Sequence, residues 1–159
     1  MLGGVLGIDP ISVSATPLYT LGSVGYDKNG KWKYVKTSSS VAQYDPVKIE
    51  ADGTCAATSS LTTTLAGSGP IAVGIAQVAI ASGYYAWIWI GEGGGTGSGV
   101  KVNVLASAVA GAKLYTTATA GALDDTATTL IAGLTIMSTN GGSTAAVECY
   151  SPLVLTANA

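Results

Sequence analysis

Ile71–Ile90 (IAVGIAQVAIASGYYAWIWI) carries no charged residue over a length that could form one membrane helix or two buried strands. Its composition favours strands. Gly74 and Gly83 weaken a helix, β-branched residues are frequent, Ser82-Gly83 divides the run, and no flanking lysines would orient a span. The expectation is a strand over Ile71–Ala81, a turn at Ser82-Gly83, and an antiparallel partner over Tyr84–Gly91. Period-two alternation places Tyr85, Trp87 and Trp89 on one face and Tyr84, Ala86, Ile88 and Ile90 on the other. Both faces are apolar, so both must be covered. An intramolecular core for the tryptophans is the favoured outcome, with a subunit interface as the alternative.

The rest of the chain punctuates in the same way. In SVGYDKNGKWKYVK, Asn29-Gly30 suits the centre of a two-residue type I′ turn between strands at roughly 22–26 and 31–37. DPVKIEA puts Val47 and Ile49 on one face and Lys48 and Glu50 on the other, before an Asp52-Gly53 turn. Thr54–Thr64 reads as a Thr/Ser-rich strand or loop. Further strands are expected over Val100–Leu105, Leu114–Thr119, Leu130–Met137 and Thr144–Tyr150, with GALDD and TNGG as turns and at most one helical turn near Ala106–Ala112. This spacing predicts an all-β fold, a small antiparallel barrel or sandwich with very little helix. Met1–Thr20 (residues 1–20), with Pro10 and Pro17, reads as an extended arm on a single β domain over residues 21–159.

Chemistry is sparsely provided. The chain has 159 residues, 10% of them charged, with seven lysines, no arginine, no histidine and a net charge of −2. Without histidine the usual triads and most zinc sites are unavailable. The neighbouring Asp124 and Asp125 point apart on a strand, and as turn residues they bond the backbone. Glu92–Gly99 (EGGGTGSG) matches no dinucleotide fingerprint and is followed by a strand, so it reads as a flexible hairpin loop. GYDKNGKW places Trp32 where a phosphate loop needs a hydroxyl. Lys31 and Lys33 alternate with Trp32 and Tyr34 as on a half-buried strand, which speaks against a nucleic-acid surface. The N-terminus lacks a positive region before MLGGVLGIDP, and Asp9-Pro10 interrupts any apolar segment of a secretion signal. Cys55 and Cys149 read as small buried thiols, with a disulfide as the alternative that spacing leaves open. No catalytic, metal or cofactor-binding residue is assigned.

The ordered segments LGSVGYDKNGKWKYVKTSSSV, DPVKIEADGTC, VGIAQVAIASGYYAWIWIGEG and KLYTTATAGALDDTATTLIAGLTI resemble the capsid decoration (cement) proteins of tailed bacteriophages. Two patterns carry the likeness: V-G-x-A followed by G-x-Y-x-W, then L-Y-x-x-A-x-x-G-x-L-D-[DN]. It covers roughly residues 21–152. The resemblance implies a non-enzymatic virion protein on the outer surface of an icosahedral head. It implies a homotrimer bridging neighbouring capsomers, with the major capsid protein and its own copies as partners and no cofactor, nucleic acid or membrane. The protein would be made in the host cytoplasm. Candidate interface residues are Leu2, Val5, Ile8, Ile11, Tyr19, Trp32, Tyr34, Tyr85, Trp87 and Trp89. The alternative is a virion β-module that binds host-surface carbohydrate through an aromatic face.

Overall fold

The computed structural model of the chain describes residues 5–57, 71–119, 121–126 and 129–158. Among them there are fourteen strands and no helix, so the protein is all-β. In chain order they are β1 (Val5–Leu6), β2 (Val13–Ser14), β3 (Val24–Asp27), β4 (Gly30–Thr37), β5 (Pro46–Ile49), β6 (Thr54–Ala57) and β7 (Ile71–Ile75). There follow β8 (Tyr85–Gly94), β9 (Lys101–Val104), β10 (Lys113–Thr116), β11 (Leu123–Asp124), β12 (Leu130–Ile136), β13 (Ala145–Val154) and β14 (Thr156–Asn158).

All fourteen join one hydrogen-bonded network, which is not one clean barrel. Most pairings are antiparallel, but β1–β3, β4–β6 and β9–β11 are parallel. The pairings close three circuits. β4–β6–β5–β7–β8 returns to β4, β7–β14–β12–β13–β8 returns to β7, and β12–β10–β11–β9–β13 returns to β12. Strand β8 belongs to two of them. One of its edges pairs with β4 from Tyr85 to Gly91. The other meets β2 at Tyr85–Ala86, β7 at Trp89 and β13 at Gly91–Gly94.

The alternation expected along β8 is observed. Ala86, Ile88 and Ile90 join an aliphatic core with Val35, Val41, Val47, Ile49, Cys55, Ala76 and Ile80. Trp87 and Trp89 face a larger core with Trp32, Tyr34, Val73, Ile75, the valines of β9, and Leu114, Leu134 and Leu155. The uncharged run therefore supplies β7 and the first part of β8 rather than one helix, and no helix among the described residues is long and apolar enough to cross a membrane. Strand β7 ends at Ile75, and Ala76 and Ile80 turn away to pair with Asp45 and Val41, so β7 and β8 are directly paired only at Ile75 and Trp89.

The β3–β4 hairpin forms one residue out of the expected phase. Asp27 pairs with Gly30, leaving Lys28 and Asn29 at the centre, and neither has positive φ. The sequence fits a type I turn with Asp at its first position and Gly at its last. The Asp27 carboxylate accepts the Asn29 N–H at 2.8 Å and favours this turn over type I′. Strand β8 also runs three residues beyond its expected end. Gly91, Gly93 and Gly94 are strand residues, and a Cβ at any of them would strike a backbone carbonyl, of Leu153, Asn29 and Cys149 respectively. These glycines serve close backbone approach rather than flexibility. Beyond them, the N–H groups of Gly97 and Gly99 surround the Glu148 carboxylate at 3.0–3.4 Å. The glycine-rich loop is an anion-binding backbone cradle filled by the chain's own carboxylate.

Residues 5–20 lie along this network. β1 pairs with β3 and β2 with β8, while Ile8 is buried over Gly25, where any Cβ would meet its side chain. β11 falls within the expected GALDD turn. In the same segment Asp124 Oδ1 accepts the Asp125 N–H at 2.8 Å, and Asp125 accepts from the Val109 N–H at 2.9 Å, so both carboxylates bond backbone. Part of the expected Thr54–Thr64 segment lies outside the described residues.

Candidate functional site

The β4–β8 register sets Trp32 opposite Trp89, Tyr34 opposite Trp87, and Lys36 opposite Tyr85. Cross-strand pairs of this kind are the unit of sheet stabilisation. Tyr19, from the segment before β3, completes the group. Its ring centroid lies 5.1 Å from those of Tyr34 and Trp87, at interplanar angles of 76° and 59°. Tyr34 lies 5.2 Å from Trp87 and stacks on Tyr85 at 6.1 Å and 17°.

Three polar atoms of this aromatic group bond within the chain. Trp32 Nε1 donates to Asp27 Oδ1 at 2.7 Å, and Trp89 Nε1 donates to the Asn29 carbonyl at 3.0 Å. The Tyr34 hydroxyl accepts the Leu18 N–H at 3.0 Å. Two of the three indoles are thus moored to the β3–β4 turn, while Tyr34 fastens residues 18–19.

Burial sorts the candidate interface residues. Trp32, Tyr34, Trp87 and Trp89 are at most 2% exposed, and Ile8 is also buried, so these five are core side chains with no surface to offer a partner. Ile11 is exposed, and Tyr19 and Tyr85 are partly exposed. For Val5 the backbone pairing with Gly25 is described, and Leu2 lies outside the described residues. Sequence reasoning missed Leu18, Val109, Met137 and Leu153, all exposed large apolar residues. Their signal was faint, because a single apolar residue at the end of a strand or in a turn looks the same whether it points in or out.

Two concavities flank the junction. An open groove of about 790 Å³ is lined by Pro17, Leu18, Tyr19, Thr20, Leu21 and Tyr85, among others, and the Lys36 ammonium sits 5.4 Å from the Tyr85 ring centre. A cleft of about 400 Å³ lies between the β3–β4 turn, Asp9–Ile11, Gln43–Tyr44 and Ser98–Val100. On β4, Lys31 reaches Glu92 at 3.2 Å and lies 5.6 Å from the centre of the Tyr26 ring. Burial alone would lower the Lys31 pKa, but the Tyr26 hydrogen bond and Glu92 outweigh it and raise it above its ordinary value.

The two thiols are free and buried. Burial pushes Cys55 up to about 12 and raises Cys149 well above the usual thiol range, so neither is a ready nucleophile. Among the described residues no group of three or more His, Cys, Asp or Glu side chains is placed to hold a metal ion. Compared with known proteins, the chain matches no family model, no curated protein and no solved structure.

Proposed function

We propose that this is a non-enzymatic structural protein of a tailed-phage virion, decorating and cementing the outer surface of the icosahedral head. The observation that carries this reading is the order and spacing of the motif residues. Val73, Gly74 and Ala76, then Tyr85 and Trp87, lie where β7 and β8 meet the two cores, and Gly83 turns the chain between them with a positive φ. Gly74 is required there because a Cβ would meet the Ile88 side chain and the Trp89 carbonyl. Motifs made of such packing positions specify a scaffold. In this reading the circuits of strands are small barrels, the first two sharing β7 and β8 and the last two sharing β12 and β13.

The surface suits permanent contact. Ile11, Leu18, Val109, Met137 and Leu153 are exposed in a chain with few charges. Ile11, Tyr19 and Tyr85, joined by Leu18, remain the interface candidates at the junction, with the major capsid protein and further copies of the chain as partners. A trimer would use one patch three times under closed symmetry. Multivalent attachment then turns modest contacts into firm retention. Bridging neighbouring capsomers would resist shear as packaged DNA pressurises the shell.

Quantitative mass spectrometry of purified heads tests the reading, with cryo-EM of the same particles locating the density. Absence from the particle, or a copy number matching a tail component, would sink it. Mass in solution compared with the 15.7 kDa monomer tests the trimer. A carbohydrate-binding module would have to use Tyr85 rather than the buried Trp87. Glycan binding lost in Tyr85→Ala, with head attachment retained, would replace the decoration reading.

A further inference from the structure

The sequence contains two Asn-Gly pairs, Asn29-Gly30 and Asn140-Gly141, and the fold treats their side-chain amides in opposite ways. Asn140 is buried, and its Nδ2 donates to the carbonyls of Val104, Leu105 and Ser143 at 3.2, 3.0 and 2.8 Å. Its Oδ1 accepts the Gly142 N–H at 3.4 Å. Asn29 is half-buried on the wall of the 400 Å³ cleft, and among the described residues its side-chain amide has no hydrogen-bond partner. Asn29 is instead held through its backbone. Its N–H donates to Asp27, and its carbonyl accepts from Trp89 Nε1 and from the Gly94 N–H at 2.9 Å.

We infer that Asn29 is a site of spontaneous deamidation, with water as co-reactant, and that Asn140 is protected. The Gly30 backbone nitrogen loses its proton to solvent base and attacks the Asn29 side-chain carbonyl carbon. A C–N bond forms, ammonia leaves with a proton from water, and a five-membered succinimide remains. Water then opens the ring at either carbonyl, giving aspartate or isoaspartate. The net change is one water consumed and one ammonia released. Asn-Gly is the susceptible pair because glycine has no side chain to hinder the ring closure, and asparagine is among the thermolabile residues. At Asn29 only the turn that pairs Gly30 with Asp27 must loosen, whereas at Asn140 the amide must also shed its own hydrogen bonds in a local opening.

The product alters the junction. Isoaspartate routes the main chain through the former side chain and lengthens it by one methylene. It does so immediately before Gly30, whose Cα is packed too closely on the Gly91 and Glu92 carbonyls to accept a Cβ. The turn that moors Trp89 and the end of β8 must then shift, and the chain gains a negative charge.

The test is to age the native protein at mildly alkaline pH and map its peptides by mass spectrometry, using fragmentation that separates isoaspartate from aspartate. The same incubation in urea gives the unfolded reference. In urea the two sites should convert at similar rates. In the native protein Asn29 should convert about tenfold or more faster than Asn140, since local opening limits the latter. Equal native rates, conversion of Asn140 first, or an inert Asn29 would overturn the proposal. Asn29→Asp adds the charge without the methylene, so tryptophan fluorescence should shift in the aged protein and not in this variant.

Discussion

Strand β8 divides two cores built from different materials. On one side Ala86, Ile88 and Ile90 pack with valines, isoleucines and Cys55 inside the circuit of β4, β6, β5, β7 and β8. On the other side Trp87 and Trp89 meet Trp32 and Tyr34, and this core continues through β9, β10, β12 and β14. The aliphatic core needs only volume and shape. The aromatic core fills more space per residue but brings polar atoms that must find partners once buried. Asp27, Asn29 and Leu18 supply those partners. The aromatic side therefore depends on a particular turn, and the aliphatic side does not.

The largest expected effect breaks that dependence. Trp89→Ala removes a fully buried ring together with its bond to Asn29 and should lower stability by about 3–5 kcal/mol. Ile88→Val, one residue away on the aliphatic face, should lower it by about 0.5–1.5 kcal/mol. Denaturant melts of the two variants would blur the contrast if their losses were equal. Next comes Gly74→Ala, which overpacks the aliphatic core against Ile88 and should destabilise by about 1–3 kcal/mol. Pairing it with Ile88→Ala, which vacates that space, should recover part of the loss in a double-mutant cycle.

Alkaline pH probes both cores at once, since each holds one thiol. In the unfolded chain the thiols ionise near their ordinary value, whereas the fold keeps Cys55 neutral up to about 12 and raises Cys149 as well. Their contribution is thus fully present below pH 9.0 and is lost as pH rises above it, because only the unfolded state then gives up protons. The expected slope is up to about 1.4 kcal/mol per pH unit for each thiol. Pulsed alkylation along this titration would show which core opens first, and rapid labelling of either cysteine at neutral pH would contradict their burial. The smallest effect belongs to the surface. Lys31→Ala removes an exposed ion pair with Glu92 and should change stability by less than about 1 kcal/mol.

Much of the strand pattern was legible because alternation reports burial directly. Val47 and Ile49 are buried, while Lys48 faces outward to an ion pair with Glu50 at 2.7 Å. Trp87 and Trp89 share a face as their spacing requires. The interface list was much less legible. Trp32, Tyr34 and Trp89 stood among the interface candidates even though a core was favoured for the tryptophans, since an apolar face does not say what covers it. Short strands such as β2, β11 and β14 were unreadable because two or three residues carry no period.

Local periodicity in the sequence was enough for the all-β class and the two-sided burial of β8. Tertiary structure alone decided the phase of the Asp27–Gly30 turn, the use of Gly91, Gly93 and Gly94 for backbone contact, and the closure of the strands into circuits. Each of these depends on groups distant in the chain meeting at close range. The Leu153 carbonyl over Gly91 and the Asn29 carbonyl beneath Trp89 are contacts that no local pattern encodes.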